Sequence, residues 1–228
     1  MVSNLDGPRL TPKGRVPRQL VVFLHGYGAD GNDLIAVGQQ WQVLLPDAVF
    51  IAPHAPEACA QAPVGRQWFA LDLRNEQELW RGVTGAMPKL NAFLDAELAR
   101  YGVSEDRLAL VGFSQGTMMA LHAGLRRRVA ALVGYSGLLV GGEHLAQAQG
   151  KPSPILLLHG DQDDLIPAEA LFVAAEQLAK AGIPCQWHLS FGIGHGIDAG
   201  GLMHGGLFLA QAFGIKLPEG FSGATNVV

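Results

Sequence analysis

Gly112-Phe113-Ser114-Gln115-Gly116 sets a serine in a G-x-S-x-G pattern. The pattern alone is weak in a chain with 30 glycines. Its setting makes it informative. Arg107 to Val111 reads as a buried strand, and Gln115 to Leu125 reads as a helix. A strand–turn–helix is the context in which such a serine acts as a nucleophile. The turn is tight enough to strain the serine backbone. Glycines two residues before and two after remove the side chains that would clash. The helix that follows turns its positive end toward the reacting centre, which favours developing negative charge.

A serine hydroxyl is a poor nucleophile at neutral pH and needs a base. In the chain order Ser, acid, His, the base must follow Ser114. Six histidines do. His122 lies on the helix leaving the turn, His188 inside an apolar run and His204 on the last helix. His144 and His159 come before the expected acid. His195 stands in Phe191-Gly192-Ile193-Gly194-His195-Gly196, after the last strand and before the last helix, where an imidazole can reach the serine. The acid is expected on the loop His159-Gly160-Asp161-Gln162-Asp163-Asp164-Leu165-Ile166-Pro167. It would orient the imidazole and stabilise its cation. Three aspartates compete there, and spacing alone does not choose among them. Two backbone N–H groups must meet the oxyanion. One is expected from Gln115, the other from the loop His25-Gly26-Tyr27-Gly28. No Lys-Ser/Thr follows these glycines, so they do not form a phosphate-binding P-loop.

Elements that could carry these groups recur along the chain. Apolar runs at 19–25, 48–52, 107–111, 129–133, 155–158 and 185–189 are mostly continuous rather than alternating. That suits strands of a parallel sheet covered on both faces. Helices are expected from an Asn32 cap to Trp41, over about 84–100 with Pro88 in the first turn, over 115–125, from Pro167 to about Lys180, and over about 200–213. The alternation predicts one doubly wound α/β domain over 1–228, with its core at about 19–213. Residues 54–81 read as an irregular loop, long for a connection inside a compact domain. It carries Trp68, Phe69, Leu71 and Leu73 on the C-terminal side of a strand, where open α/β sheets bind ligands. Trp68, Leu71 and Leu73 are therefore candidate substrate contacts.

Bulk properties exclude several alternatives. In 228 residues, 49% are apolar and 16% charged, with a formal net charge of −4. That is a globular composition, long enough to bury a core without disulfides or structural metal. The longest basic run, Arg126-Arg127-Arg128, suits a helix C-terminus rather than nucleic acid. Cys59 and Cys185 make neither a disulfide framework nor a cysteine-only zinc site. The N-terminus lacks an apolar leader segment, and no run is long enough to span a membrane. A cytoplasmic protein with reduced thiols is expected.

Four blocks in order, FLHGYGADGNDL, GFSQG, HGDQDDLIP and GIGHGID, resemble the carboxylesterase/phospholipase family related to acyl-protein thioesterases, in its bacterial carboxylesterase branch. The resemblance runs from about Gln19 to Phe213 and implies an α/β-hydrolase fold. It also implies that Asp163, four residues before Pro167, is the acid beside Ser114 and His195. The oxyanion donors would be the N–H groups of Tyr27 and Gln115. The substrate loop would be the Trp68–Leu73 region, and Leu165 would line the acyl site. The alanine- and proline-rich stretch HAPEACAQAPVGRQW departs from the family pattern. The implied activity is hydrolysis of short- to medium-chain or aryl esters through an acyl-enzyme. Thioester and lysophospholipid hydrolysis are the alternatives, and a non-catalytic binding protein on this fold is the reading of a different class. No cofactor or metal is implied. The expected partner is a small ester, with a homodimer left open; nucleic acid and stable membrane insertion are not expected.

Overall fold

Every side chain of the strand Gln19–Leu24 is buried. Its residues alternate between two apolar clusters. Leu20, Val22 and Leu24 face one, and Val21 and Phe23 face the other. A strand with both faces covered must lie inside a sheet flanked by helices on each side. The computed structural model is built this way, and it describes residues 5–59, 61–147 and 153–216. Residues 1–4, part of the N-terminal stretch read above for a leader, and Ala60 of the 54–81 loop lie outside the described residues.

The strands are β1 (Arg9–Leu10), β2 (Gln19–Leu24), β3 (Ala48–Ile51), β4 (Glu57–Ala58), β5 (Arg66–Gln67), β6 (Leu108–Phe113), β7 (Ala131–Tyr135), β8 (Ile155–Gly160) and β9 (Cys185–Ser190). The helices are α1 (Gly31–Trp41), α2 (Glu76–Tyr101), α3 (Gln115–Gly124), α4 (Glu169–Lys180) and α5 (Ala199–Ala212). The seven-stranded sheet runs β1-β3-β2-β6-β7-β8-β9, and only β1 is antiparallel within it. Side chains of α2, α3 and α4 pack on one face, and those of α1 and α5 on the other. This is the α/β-hydrolase architecture. Among the described residues no helix is long and apolar enough to cross a membrane, and both cysteines are free.

Four local expectations change. The cap of α1 is Asp30, not Asn32. Asp30 accepts from the Asn32 N–H at 2.7 Å while Asp33 accepts from the Asp30 N–H at 2.7 Å. This reciprocal pairing satisfies donors that Asn32 would leave unmet. The second difference is larger. Helix α2 starts at Glu76 behind an Asn75 cap, so Pro88 sits in mid-helix and the preceding loop ends at about residue 75. Thr84 and Pro88 are both exposed, so water can serve the carbonyl that proline leaves unpaired. Leu79, Val83, Met87, Leu90 and Leu94 form the buried stripe that holds the helix through that defect. Third, Pro167 lies just ahead of α4, whose first residue is Glu169. Fourth, β9 is an edge strand with Gln186 and Trp187 exposed, not one covered on both faces.

Candidate active site

Strand β6 and helix α3 meet at Ser114, whose backbone is at φ 53° and ψ −117°. It is one of two non-glycine residues with positive φ among the described residues. Such a conformation persists only where its surroundings enforce it. They do so here. A Cβ at Gly116 would enter the Leu24 carbonyl, and one at Gly112 would enter the Thr117 backbone. The end of β7 holds the turn from the other side. The Tyr135 carbonyl accepts from the Ser114 N–H at 2.9 Å and from the Thr117 hydroxyl at 2.8 Å.

Of the three aspartates on the loop after β8, one is paired with His195. Asp161 and Asp164 are exposed, whereas Asp163 is buried. The Asp163 Oδ1 accepts from the Leu165 and Ile166 N–H groups at 3.0 and 2.9 Å. Its Oδ2 lies 2.7 Å from His195 Nδ1. A carboxylate acceptor fixes the proton on Nδ1 and leaves Nε2 free to take one. Asp161 instead accepts from the Gly192 N–H at 2.6 Å and so shapes the histidine loop.

His195 is brought to the serine turn by two contacts. The ring of Phe113, next to Ser114 in the chain, lies 5.0 Å from the imidazole. Ser136, the second strained residue at φ 45°, donates from its hydroxyl to the Gly196 carbonyl at 3.2 Å. No hydrogen bond joins the Ser114 hydroxyl to His195 among the described residues. Such contacts often tighten only when substrate is bound.

The loop 25–28 packs against the same serine. A Cβ at Gly26 would lie 3.3 Å from the Ser114 Cβ, so only glycine admits this approach without a shift. Among the described residues, the Tyr27 and Gln115 N–H groups donate to no backbone carbonyl. His25, which the sequence marked only as part of this loop, is the residue that fixes it. Its Nε2 accepts from the Ala55 N–H at 2.9 Å, so its Nδ1 must donate to the Gly26 carbonyl at 2.8 Å. Burial lowers its pKa and keeps the ring neutral.

A family model described as phospholipase/carboxylesterase matches residues 5–212. The chain belongs to that family. It is 26% identical over 216 residues to acyl-protein thioesterase 1 of Gibberella zeae, covering 86% of this chain and 91% of that one. It is 29% identical over 187 residues to the esterase YpfH of Escherichia coli, covering 79% and 77%. The solved structure of esterase PE8 matches with a TM-score of 0.86 and 42% identity, over 91% of this chain and 99% of that one. The family and these neighbours are esterases and related hydrolases.

The candidate substrate residues separate in space. Trp68 is 1% exposed and offers a ligand almost no surface. Its indole N–H donates to the His25 carbonyl at 2.9 Å, and its backbone N–H to Gln115 Oε1 at 3.0 Å. Gln115 Nε2 in turn donates to the Phe69 carbonyl at 2.8 Å. Trp68 is therefore a loop anchor in this structure, because a buried indole must satisfy its N–H inside the protein. Arg66 stitches the same loop through the Ala55 and Pro56 carbonyls. Leu71 is half-buried against the main apolar cluster, and Leu165 is largely exposed. Leu73 lines a cavity of about 260 Å³, with Leu79, Leu138, Leu139, Val140 and Val173. Leu138 follows Gly137, which packs against the Ser114 carbonyl. We expect Trp68→Ala to lower stability by about 3–5 kcal/mol, checked by urea unfolding; a loss below about 1 kcal/mol would refute the anchoring role.

One histidine set aside from the site has a measurable consequence. His122 is buried against Trp80, and its Nδ1 has no hydrogen-bond partner. Burial first, then the charges of Arg126 and His144, push its pKa down to about 4. The unfolded chain takes up this proton near ~6.5. Between those values the unfolded state binds more protons, so stability falls as pH drops from about 6.5 to about 4. His122→Phe should flatten part of that slope in Tm measured across the window; an unchanged slope would contradict it.

Proposed function

We propose that this protein hydrolyses carboxylic esters with short- to medium-length acyl groups, using Ser114 as nucleophile and His195 as base. The observation that carries the reading is the buried Asp163 carboxylate 2.7 Å from His195 Nδ1, with the His195 ring 5.0 Å from that of Phe113, the residue before the strained Ser114. In this mechanism Ser114 Oγ attacks the carbonyl carbon and its proton passes to His195 Nε2. The N–H groups of Tyr27 and Gln115 stabilise the oxyanion. His195 then returns the proton to the departing alcohol, leaving an acyl-serine. Water repeats the sequence and releases the acid.

The cavity beside Leu73 and Leu138 supports a modest acyl group. Its volume of about 260 Å³ falls near the lower end for small-molecule sites. The lining supplies apolar contact from seven aliphatic side chains besides Leu73, with Glu76, Glu143 and Gln177 as its polar part. Each methylene buried there is worth about 0.8 kcal/mol. With p-nitrophenyl esters of increasing chain length, kcat/KM should climb several-fold per carbon and then level off. Leu73→Ala and Leu138→Ala should move the maximum to longer chains and leave the acetate ester nearly unchanged. Identical profiles in both variants and wild type would remove the cavity from the reading. The ester reading is favoured by the 42% identity to a structure named as an esterase. Acyl-CoA and lysophospholipid in the same panel test the alternatives, and a preference for either would overturn it.

A further inference from the structure

Asp163 faces two imidazoles, and the mechanism above uses only one. His159 is the penultimate residue of strand β8, four residues before Asp163, and is 3% exposed. Its Nε2 lies 2.8 Å from the Ile166 carbonyl. A carbonyl only accepts, so this nitrogen carries the proton. The same nitrogen stands 3.2 Å from Asp163 Oδ2, the oxygen that also meets His195 Nδ1. Ile166 closes the arrangement, because its own N–H donates to Asp163 Oδ1 at 2.9 Å. The imidazole of His159 thus grips the segment that wraps the carboxylate and also lays a positive N–H edge beside the working oxygen.

We propose that His159 is a positioning residue for the Ser114 reaction, acting through Asp163 on the basicity of His195. The proposal rests on the ester-hydrolase reading given above. Two effects follow from the geometry. Anchoring the Ile166 carbonyl keeps both Ile166 and Leu165 N–H groups on Oδ1, which turns Oδ2 toward His195. The N–H edge beside Oδ2 withdraws part of the negative field that His195 feels. Without it the carboxylate holds the His195 proton more strongly, and the base stays protonated to higher pH. Other charged groups near this loop are occupied elsewhere or face water. Asp161 binds the Gly192 N–H, Asp198 caps α5 and accepts from Ser190, and Asp164 is exposed. They remain the same in every variant below.

The test compares wild type, His159→Phe, His159→Leu and His159→Gln on a p-nitrophenyl ester from pH 5 to 9. Phenylalanine and leucine fill space but carry no donor. Glutamine keeps an N–H at similar reach. The two donor-free variants should lose roughly 10- to 100-fold in kcat/KM, and the midpoint of their acid limb should rise by about half a pH unit or more. His159→Gln should recover most of the rate, with the midpoint near that of wild type. A uniform loss at every pH with an unmoved midpoint would overturn the proposal, since packing damage alone gives that result. Unfolding of both donor-free variants would also overturn it, by assigning the imidazole to the fold. The underlying reading fails differently. Wild type would then show no acid limb, or Ser114→Ala would keep its activity.

Discussion

Ser114→Ala should lower kcat by on the order of 10⁴–10⁶ while the protein keeps its fold. The size of the effect follows from the chemistry. Without Oγ no acyl-enzyme forms, and the residual rate comes only from oxyanion donors acting on bound water. The fold should survive because the turn is held by backbone and by its neighbours. The Tyr135 carbonyl binds the Ser114 N–H, and Gly112 and Gly116 admit close approach of adjacent backbone. None of these contacts uses the hydroxyl. Alanine at φ 53° keeps the strain already present, so the loss of Tm should be small. A fluorophosphonate probe should label wild type at the peptide holding Ser114 and fail to label the variant. Labelling at another serine, with Ser114 intact, would refute the assignment.

Asp163→Asn should cost about 10³–10⁴ in kcat, the second largest effect expected. The replacement has the same shape but the wrong polarity on one side. Its amide oxygen can still accept from the Leu165 and Ile166 N–H groups, which now serve Oδ1. The amide NH₂ then occupies the Oδ2 position and faces His195 Nδ1, 2.7 Å away in the wild-type geometry. A donor there forces Nδ1 to accept. The ring proton moves to Nε2, the nitrogen that must take the proton of Ser114. Asp161→Asn and Asp164→Asn should lose far less. An asparagine at 161 keeps an acceptor for the Gly192 N–H, and Asp164 faces water. Steady-state kinetics on the three variants decides the matter, and a crippled Asp164→Asn would displace Asp163 from its role.

The sequence by itself determined the parallel strands of the sheet, the turn and the loop that carries His195, but not the antiparallel edge strand Arg9–Leu10. These are local signals. Apolar residues on successive positions report a strand covered on both faces, and glycines flanking Ser114 report a backbone that no side chain could share. His195 was legible because the chain order leaves one loop beyond the last strand. The start of α2 was not legible. Placing Pro88 in a first turn started the helix too late, and only the packed stripe from Leu79 onward carries it back to Glu76. The choice of aspartate also belonged to three dimensions. Three acidic side chains on one loop are equivalent in sequence, and the turn of the chain at Leu165 and Ile166 wraps N–H groups around one of them. The same holds for Trp68. An aromatic on a long loop reads as a ligand contact until its indole N–H is seen donating to His25 and its backbone to Gln115. Whether such a ring faces substrate or seals the loop depends on which carbonyls the tertiary structure leaves within reach. That is a contact over 43 to 47 residues of separation, beyond any local pattern in the chain.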